Sequence, residues 1–171
     1  MKASELIAGD YNPYYKTYID KIGDSELLST LEKQMNNFPN FMNSIPQDKL
    51  QYAYAEGKWT ILEALQHIID TERVFQYRAL RFSRKDPTPL PGFDQDVFVP
   101  ESGANNKSIA SIIEEYKAVR ASTLSLFSSF DDDVLRLVGT ASNSPMSVAA
   151  IGFITCGHQR HHRDIIRERY L

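Results

Sequence analysis

Cysteine is almost missing from this chain. Its 171 residues include one, Cys156, so no disulfide can form within the chain, and a reducing compartment, the cytoplasm, is the expected location. No apolar run approaches the roughly 20 residues that a membrane span needs. The opening stretch MKASELIAGDYNPYYKTYID has no apolar core of the signal-peptide kind. Neither sign of charge is in excess: 19 Lys and Arg against 22 Asp and Glu leave a net −3, which gives no reason to expect nucleic acid or an anionic membrane as partner. Repeats, low-complexity segments and short strand-like runs are all lacking. The length argues for one domain, residues 1–171, with enough chain for one core.

What the sequence does have is helical periodicity, in four stretches. The first runs from Ser25 to Phe38, with Leu27, Leu28, Leu31, Met35 and Phe38 at helical spacing and Asp24 as its expected N-cap. The second begins at Thr60, where Thr60 and Glu63 read as a capping box, and continues to about Ser83. The third runs from about Ser108 to Phe130. The fourth runs from about Met146 to Arg169, and Pro145 suits its start. Each amphipathic stretch must bury its own stripe, so the expected fold is all-α, an antiparallel four-helix bundle. Residues 1–23, with Tyr11, Tyr14, Tyr15 and Tyr18, form an arm or short helix packed outside it. The second and third helices are joined by KDPTPLPGFDQDVFVPESGANN, in the region 85–106, which carries four prolines. A connection this long is either a rigid crossover or part of a functional site.

Histidine is also scarce, and its placement is uneven. Of four in the chain, His158, His161 and His162 lie in CGHQRHHRDII, and His67 lies in WTILEALQHIIDTE. At about 100° per residue, His162 falls about 40° from His158, on the face shared with Ile151, Ile154 and Ile165. His161 falls about 60° to the other side, at the edge of that stripe. Two imidazoles one turn apart on a core-facing stripe are either buried histidines satisfied by hydrogen bonds or a pair converging on one ion. Cys156 points about 160° away from His158 and reads as a small buried hydrophobe. His67 lies at the edge of the stripe formed by Ile61, Leu65, Ile68 and Phe75, and by itself reads as a half-exposed polar residue. It is nevertheless the one histidine left to complete a two-histidine ion site. Three histidines with open positions are the layout of a catalytic metal, not a structural one.

The motifs W-T-x-x-E-x-x-x-H-I-x-D-x-E on the second helix and G-H-x-x-H-H-x-x-x-I on the fourth resemble the DinB/YfiT-like superfamily of metal-dependent enzymes. The resemblance extends to the arm YNPYYKTYI and the loop PLPGFDQDVFV, and so spans nearly the whole chain. It implies an up-down-down-up four-helix bundle with an N-terminal arm. It also implies a divalent metal ion (zinc, nickel or iron all occur in the family) held by His67, His158 and His162, with His161 an extra histidine that does not ligate. Characterised relatives include thiol S-transferases that use bacillithiol and maleylpyruvate isomerases that use mycothiol or glutathione. The implied activity is therefore a metal-dependent transferase that activates a low-molecular-weight thiol in detoxification or stress response. A hydrolase activating water with the same ligands is the alternative enzyme, and a metal-binding bundle without turnover is the alternative from another class.

The remaining polar residues divide between site and scaffold. Asp70 could orient His67 or act as a catalytic base; equally it could be an exposed acid paired with Arg73 or Arg78. Asp94 and Asp96 could approach the open side of the ion or form a solvated acidic loop. Trp59 reads as a hydrophobic staple or core anchor. The arginines at the end of the fourth helix complement its dipole. A small molecule is the expected substrate. Phe153 points about 140° away from His158, toward a docked arm or a surface contact, which makes a homodimer an expectation.

Overall fold

Each of the four expected helices begins at a polar cap. The computed structural model describes residues 1–171, and in it the capping box of the second stretch is complete. The Glu63 amide donates to Thr60 Oγ1 at 3.2 Å, and the Thr60 amide donates to Glu63 Oε2 at 2.8 Å. In chain order the helices are α1 (Lys16–Ile19), α2 (Leu27–Asn43), α3 (Ile61–Ser83), α4 (Gln95–Glu101), α5 (Ile109–Ser128), α6 (Asp132–Leu135) and α7 (Val148–Arg169). The side chains of Ser108 and Ser147 cap α5 and α7. The cap of α2 is Glu26 rather than the expected Asp24, which instead bonds to the arm through Ser4 and Lys2. α2 also continues past Phe38, through Pro39. Proline removes one helical hydrogen bond, but Phe38, Pro39, Phe41 and Met42 are all buried there, and this packing carries the helix to Asn43.

Side-chain pairs fix the directions of the helices. Gln66 meets Glu115, Glu72 meets Arg120 and Gln76 meets Ser122, so numbers rise together and α3 and α5 are parallel. Gln34 reaches Arg120 while Phe38 packs on Tyr116, so α2 runs against α5. His67 meets His158 and His162, while Tyr170 donates to the Trp59 carbonyl, so α7 runs against α3. The bundle is therefore up-down-down-up, and its parallel pair requires the long crossover between α3 and α5.

Two apolar clusters fill the bundle. One contains Leu31, Phe75, Phe82, Phe127 and Phe153; the other contains Phe38, Leu65, Ile68, Tyr116 and Ile166. A polar layer separates them. Arg120 donates to both carboxylate oxygens of Glu72, at 2.7 and 2.8 Å, and also to Gln34 Oε1 and Gln159 Oε1; Tyr116 also donates to Gln159. Arg120 and Glu72 are buried, and the network draws on every main helix: Gln34 from α2, Glu72 from α3, Tyr116 and Arg120 from α5 and Gln159 from α7. Charges in such a place require partners, so the layer fixes the axial register of all four helices.

Strands are not lacking: β1 (Val138–Ala141) and β2 (Ser144–Ser147) form an antiparallel hairpin whose two-residue turn, Ser142 and Asn143, has φ of 51° and 61°. That left-handed pair matches the right-handed twist of a tight hairpin. Pro145 and Met146 therefore belong to a strand, and α7 starts at Val148. The crossover between α3 and α5 is held in place. It contains α4 and is pinned to the hairpin by the bonds Leu90 N–H to Thr140 O and Ser142 N–H to Leu90 O. Phe153 is wholly buried in the cluster that includes Ile19 and Ile22 of the arm, so the docked arm explains it and it gives no support to a dimer. The arm lies tight against α7: a Cβ on Gly157 would stand 2.1 Å from the Tyr18 carbonyl oxygen, so only glycine admits it. No helix is long and apolar enough to cross a membrane.

Candidate metal centre

α3 and α7 bring three imidazoles together. His67 stands in the second turn of α3, and His158 and His162 lie one turn apart on the facing stripe of α7. His67 Nε2 lies 3.0 Å from His158 Nε2, which lies 3.1 Å from His162 Nε2. The ligating atoms of the three rings all fall within 4.8 Å of one another. Three nitrogens, each roughly 2.1 Å from a common zinc ion, would be separated by about 3.0–3.4 Å for bond angles between right-angled and tetrahedral. The two short separations, 3.0 and 3.1 Å, match that spacing. His161 is half-buried outside the cluster and packs edge-on against Tyr18.

The electrostatics favour ligation. Burial pushes the His67 pKa down to about 4. Burial, then the neighbouring histidines, holds His158 and His162 well below the ordinary imidazole value. All three rings are therefore neutral at pH 7, the form that binds a metal. His67 is 3% exposed, not half-exposed as its place at the stripe edge suggested. Trp59 covers it, with ring centroids 4.8 Å apart, and Tyr18 packs on His158 at 5.5 Å. At its other nitrogen, Nδ1, His67 faces Thr71 Oγ1 at 3.4 Å.

Two cavities flank the cluster. One, of about 220 Å³, is bordered by His67, His158, Thr71, Phe75, Arg78 and Tyr14, Tyr15 and Tyr18 of the arm. The other, of about 250 Å³, is bordered by His162, Trp59, Tyr170 and Asp96. Gln95, the first residue of α4, borders both, so the crossover lies over the histidines. Of its two acids, Asp96 reaches a cavity wall, while Asp94 caps α4 by accepting the Asp96 amide. Asp70 is turned elsewhere: it accepts from Gln66 at 3.0 Å and pairs with Arg73 at 3.2 Å. Arg78 does not pair with it. Cys156 is buried with its thiol pushed up to about 12 by desolvation, which excludes a thiolate there.

Glu72 and Arg120 are buried charged residues that the sequence analysis does not single out, and Arg78, expected there only as a partner for Asp70, is buried as well. The signal was present. Glu72 lies four residues from Ile68 and three from Phe75, and Arg120 lies four from Tyr116 and seven from Phe127. Each is a charge within an apolar stripe, and such a charge has a partner or a task.

The fold and this cluster define a four-helix bundle with a three-histidine centre between its second and last main helices. The sequence profile of the DinB superfamily matches residues 30–166, and the chain belongs to that superfamily. Among curated proteins, "Putative metal-dependent hydrolase OB0413" of Oceanobacillus iheyensis is 25% identical over 139 residues, covering 80% of this chain and 79% of that protein. Among solved structures, YfiT from Bacillus subtilis, described as a probable metal-dependent hydrolase with an unusual four-helix bundle topology, superposes with a TM-score of 0.75 at 13% identity, over 96% of this chain and 88% of its own.

Proposed function

We propose that this chain binds one divalent metal ion through His67, His158 and His162 and acts as a metal-dependent hydrolase on a small molecule. The observation that carries the reading is the convergence of three neutral imidazole nitrogens beside open cavities. The descriptions of the Oceanobacillus iheyensis and Bacillus subtilis relatives as metal-dependent hydrolases support the reaction type. A divalent ion so held lowers the pKa of water or of a thiol and polarises a carbonyl or phosphoryl oxygen. The chain's own residues do the rest. Trp59 and Tyr18 restrict access of bulk water to the rings, Thr71 steadies His67 through Nδ1, and Asp96 is the acid positioned to take a proton at the wall shared with His162.

The second reading is transfer of a low-molecular-weight thiol. No carboxylate belongs to the cluster of ligating atoms, and a thiol needs a base less than water does because its own pKa is lower. The buried Cys156 cannot supply that thiol, so it would come from a co-substrate. Zinc, nickel and iron all suit three imidazoles.

Metal content after identical reloading tests the ligand set. His67→Ala, His158→Ala and His162→Ala should each fall to background, while His161→Ala should keep its metal. Loaded protein is then assayed on ester and amide substrates, and separately with thiols and an electrophile. Hydrolysis without thiol, lost in His158→Ala, supports the first reading. Thiol consumption supports the second. Metal retained by all three ligand variants would refute both.

A further inference from the structure

Arg78 is 2% exposed, yet no carboxylate pairs with it. Its Nη2 donates to the Pro91 carbonyl oxygen and to Ser142 Oγ, each at 3.0 Å, and the Tyr15 hydroxyl is a further neutral neighbour. Its Cζ lies 5.7 Å from the centre of the Phe75 ring. A guanidinium has five N–H donors, and burying it without a counter-charge is costly. Arg120 shows how this fold treats an arginine that is purely structural: a bidentate carboxylate and two glutamine oxygens. Arg78 has only neutral partners, and its side chain borders the same 220 Å³ cavity as His67 and His158.

The surroundings are built from three separate parts of the chain. Tyr15 comes from the arm, Phe93 and Gln95 from the crossover, and Ser142 from the hairpin turn. Ser142 holds φ of 51° as the first residue of the two-residue hairpin turn. Its hydroxyl is thereby directed at Arg78. On α3, Arg78 is eleven residues beyond His67, which puts it on the same face and roughly 16 Å further along the axis. Long helical side chains lean toward the N-terminus, so the guanidinium leans back toward the histidines.

We propose that Arg78, seated on Ser142 and beside Tyr15, is an anion-binding subsite of this cavity, and that the molecule acted on carries a carboxylate there, several bonds away from the group presented to the histidines. A planar carboxylate matches the fork of a guanidinium and supplies the charge that Arg78 lacks. The subsite stands on its own geometry, and its role in substrate recognition rests on the reading of the histidines as a metal centre.

The test uses the full chain, first stripped of metal with chelator and then loaded with zinc. Butyrate and inorganic phosphate are titrated at low ionic strength by calorimetry into the wild type, Arg78→Met and Arg78→Lys. Saturable butyrate binding to the wild type, weakened at least tenfold in Arg78→Met and in part in Arg78→Lys, is the expected result. Arg78→Met should also melt no lower than the wild type, because it removes a buried charge that has no acid partner. No saturable butyrate binding would overturn the proposal, as would equal affinity in Arg78→Met, or phosphate binding in preference to butyrate. Should Arg78→Met fail to fold, its structural role would contradict the melting expectation, and undiminished butyrate affinity in Arg78→Lys would complete the refutation. Zinc content is measured in parallel: loss of zinc binding by the wild type would sink the metal reading while leaving the anion result to stand or fall separately.

Discussion

Lowering the pH should unfold the metal-free protein through its histidine cluster, well before its carboxylates titrate. The folded chain keeps His67 neutral down to about pH 4, because burial disfavours the imidazolium, while the unfolded chain takes up that proton near 6.5. The folded-state pKa is the lower one, so the unfolded state binds more protons between the two values. Stability is then full above pH 6.5, falls as the pH drops toward 4, and loses nothing further from this group below that. A displacement from 6.5 to about 4, at about 1.4 kcal/mol per unit, amounts to about 3 kcal/mol for His67 alone. His158 and His162 are displaced in the same direction, so near pH 5 the unfolding reaction should take up close to three protons, a slope of about 4 kcal/mol per pH unit. That is a large share of a typical domain stability of roughly 5–15 kcal/mol. Carboxylates act lower in pH: Glu115, held at about 2 by Lys107, Gln66 and Arg73 against its own burial, begins to cost stability only below about pH 4.5. Urea titrations of chelated protein at pH 7.5, 6 and 5 measure the slope. His67→Gln should flatten it by about one proton. Zinc at a hundred times its Kd should add about 2.7 kcal/mol at pH 7 and nearly as much at pH 5, where the folded rings are still neutral. A slope below one proton between pH 6.5 and 5 would show that the rings accept protons in place, and the account of a buried neutral cluster would be wrong.

Arg120→Met should cost about 3–5 kcal/mol by leaving Glu72 buried and unpaired, read as a lower urea midpoint with an unchanged m-value. The double variant Glu72→Leu with Arg120→Met should recover most of that loss, and a double variant as unstable as the sum of the single ones would refute the pairing argument. Gly157→Ala should push Tyr18 off His158, because the new methyl would stand 2.1 Å from the Tyr18 carbonyl oxygen. Faster amide hydrogen exchange confined to residues 14–22 and the adjoining turn of α7 would report the displacement, and unchanged exchange would rule it out.

Helical periodicity is a local property, and what it governs was legible in the sequence. The four main helices, the Thr60 and Glu63 capping box and the shared face of His158 and His162 follow from spacing along one element, where each residue adds a fixed angle. The hairpin was missed because its strands are four residues long and its turn lacks glycine, so neither length nor composition marked it. The burial of His67 depended on Trp59 and α7 closing over a stripe edge that looked open on an isolated helix. Spacing places Glu72, Arg120 and Arg78 in apolar stripes but does not say what each one meets. Glu72 and Arg120 are joined, and Arg78 is left facing a cavity, by the axial register between helices and by a hairpin and crossover brought from far along the chain. Periodicity settles which face a residue takes, whereas partnership across a bundle depends on how far each helix slides past its neighbour, and only the packed tertiary structure sets that distance.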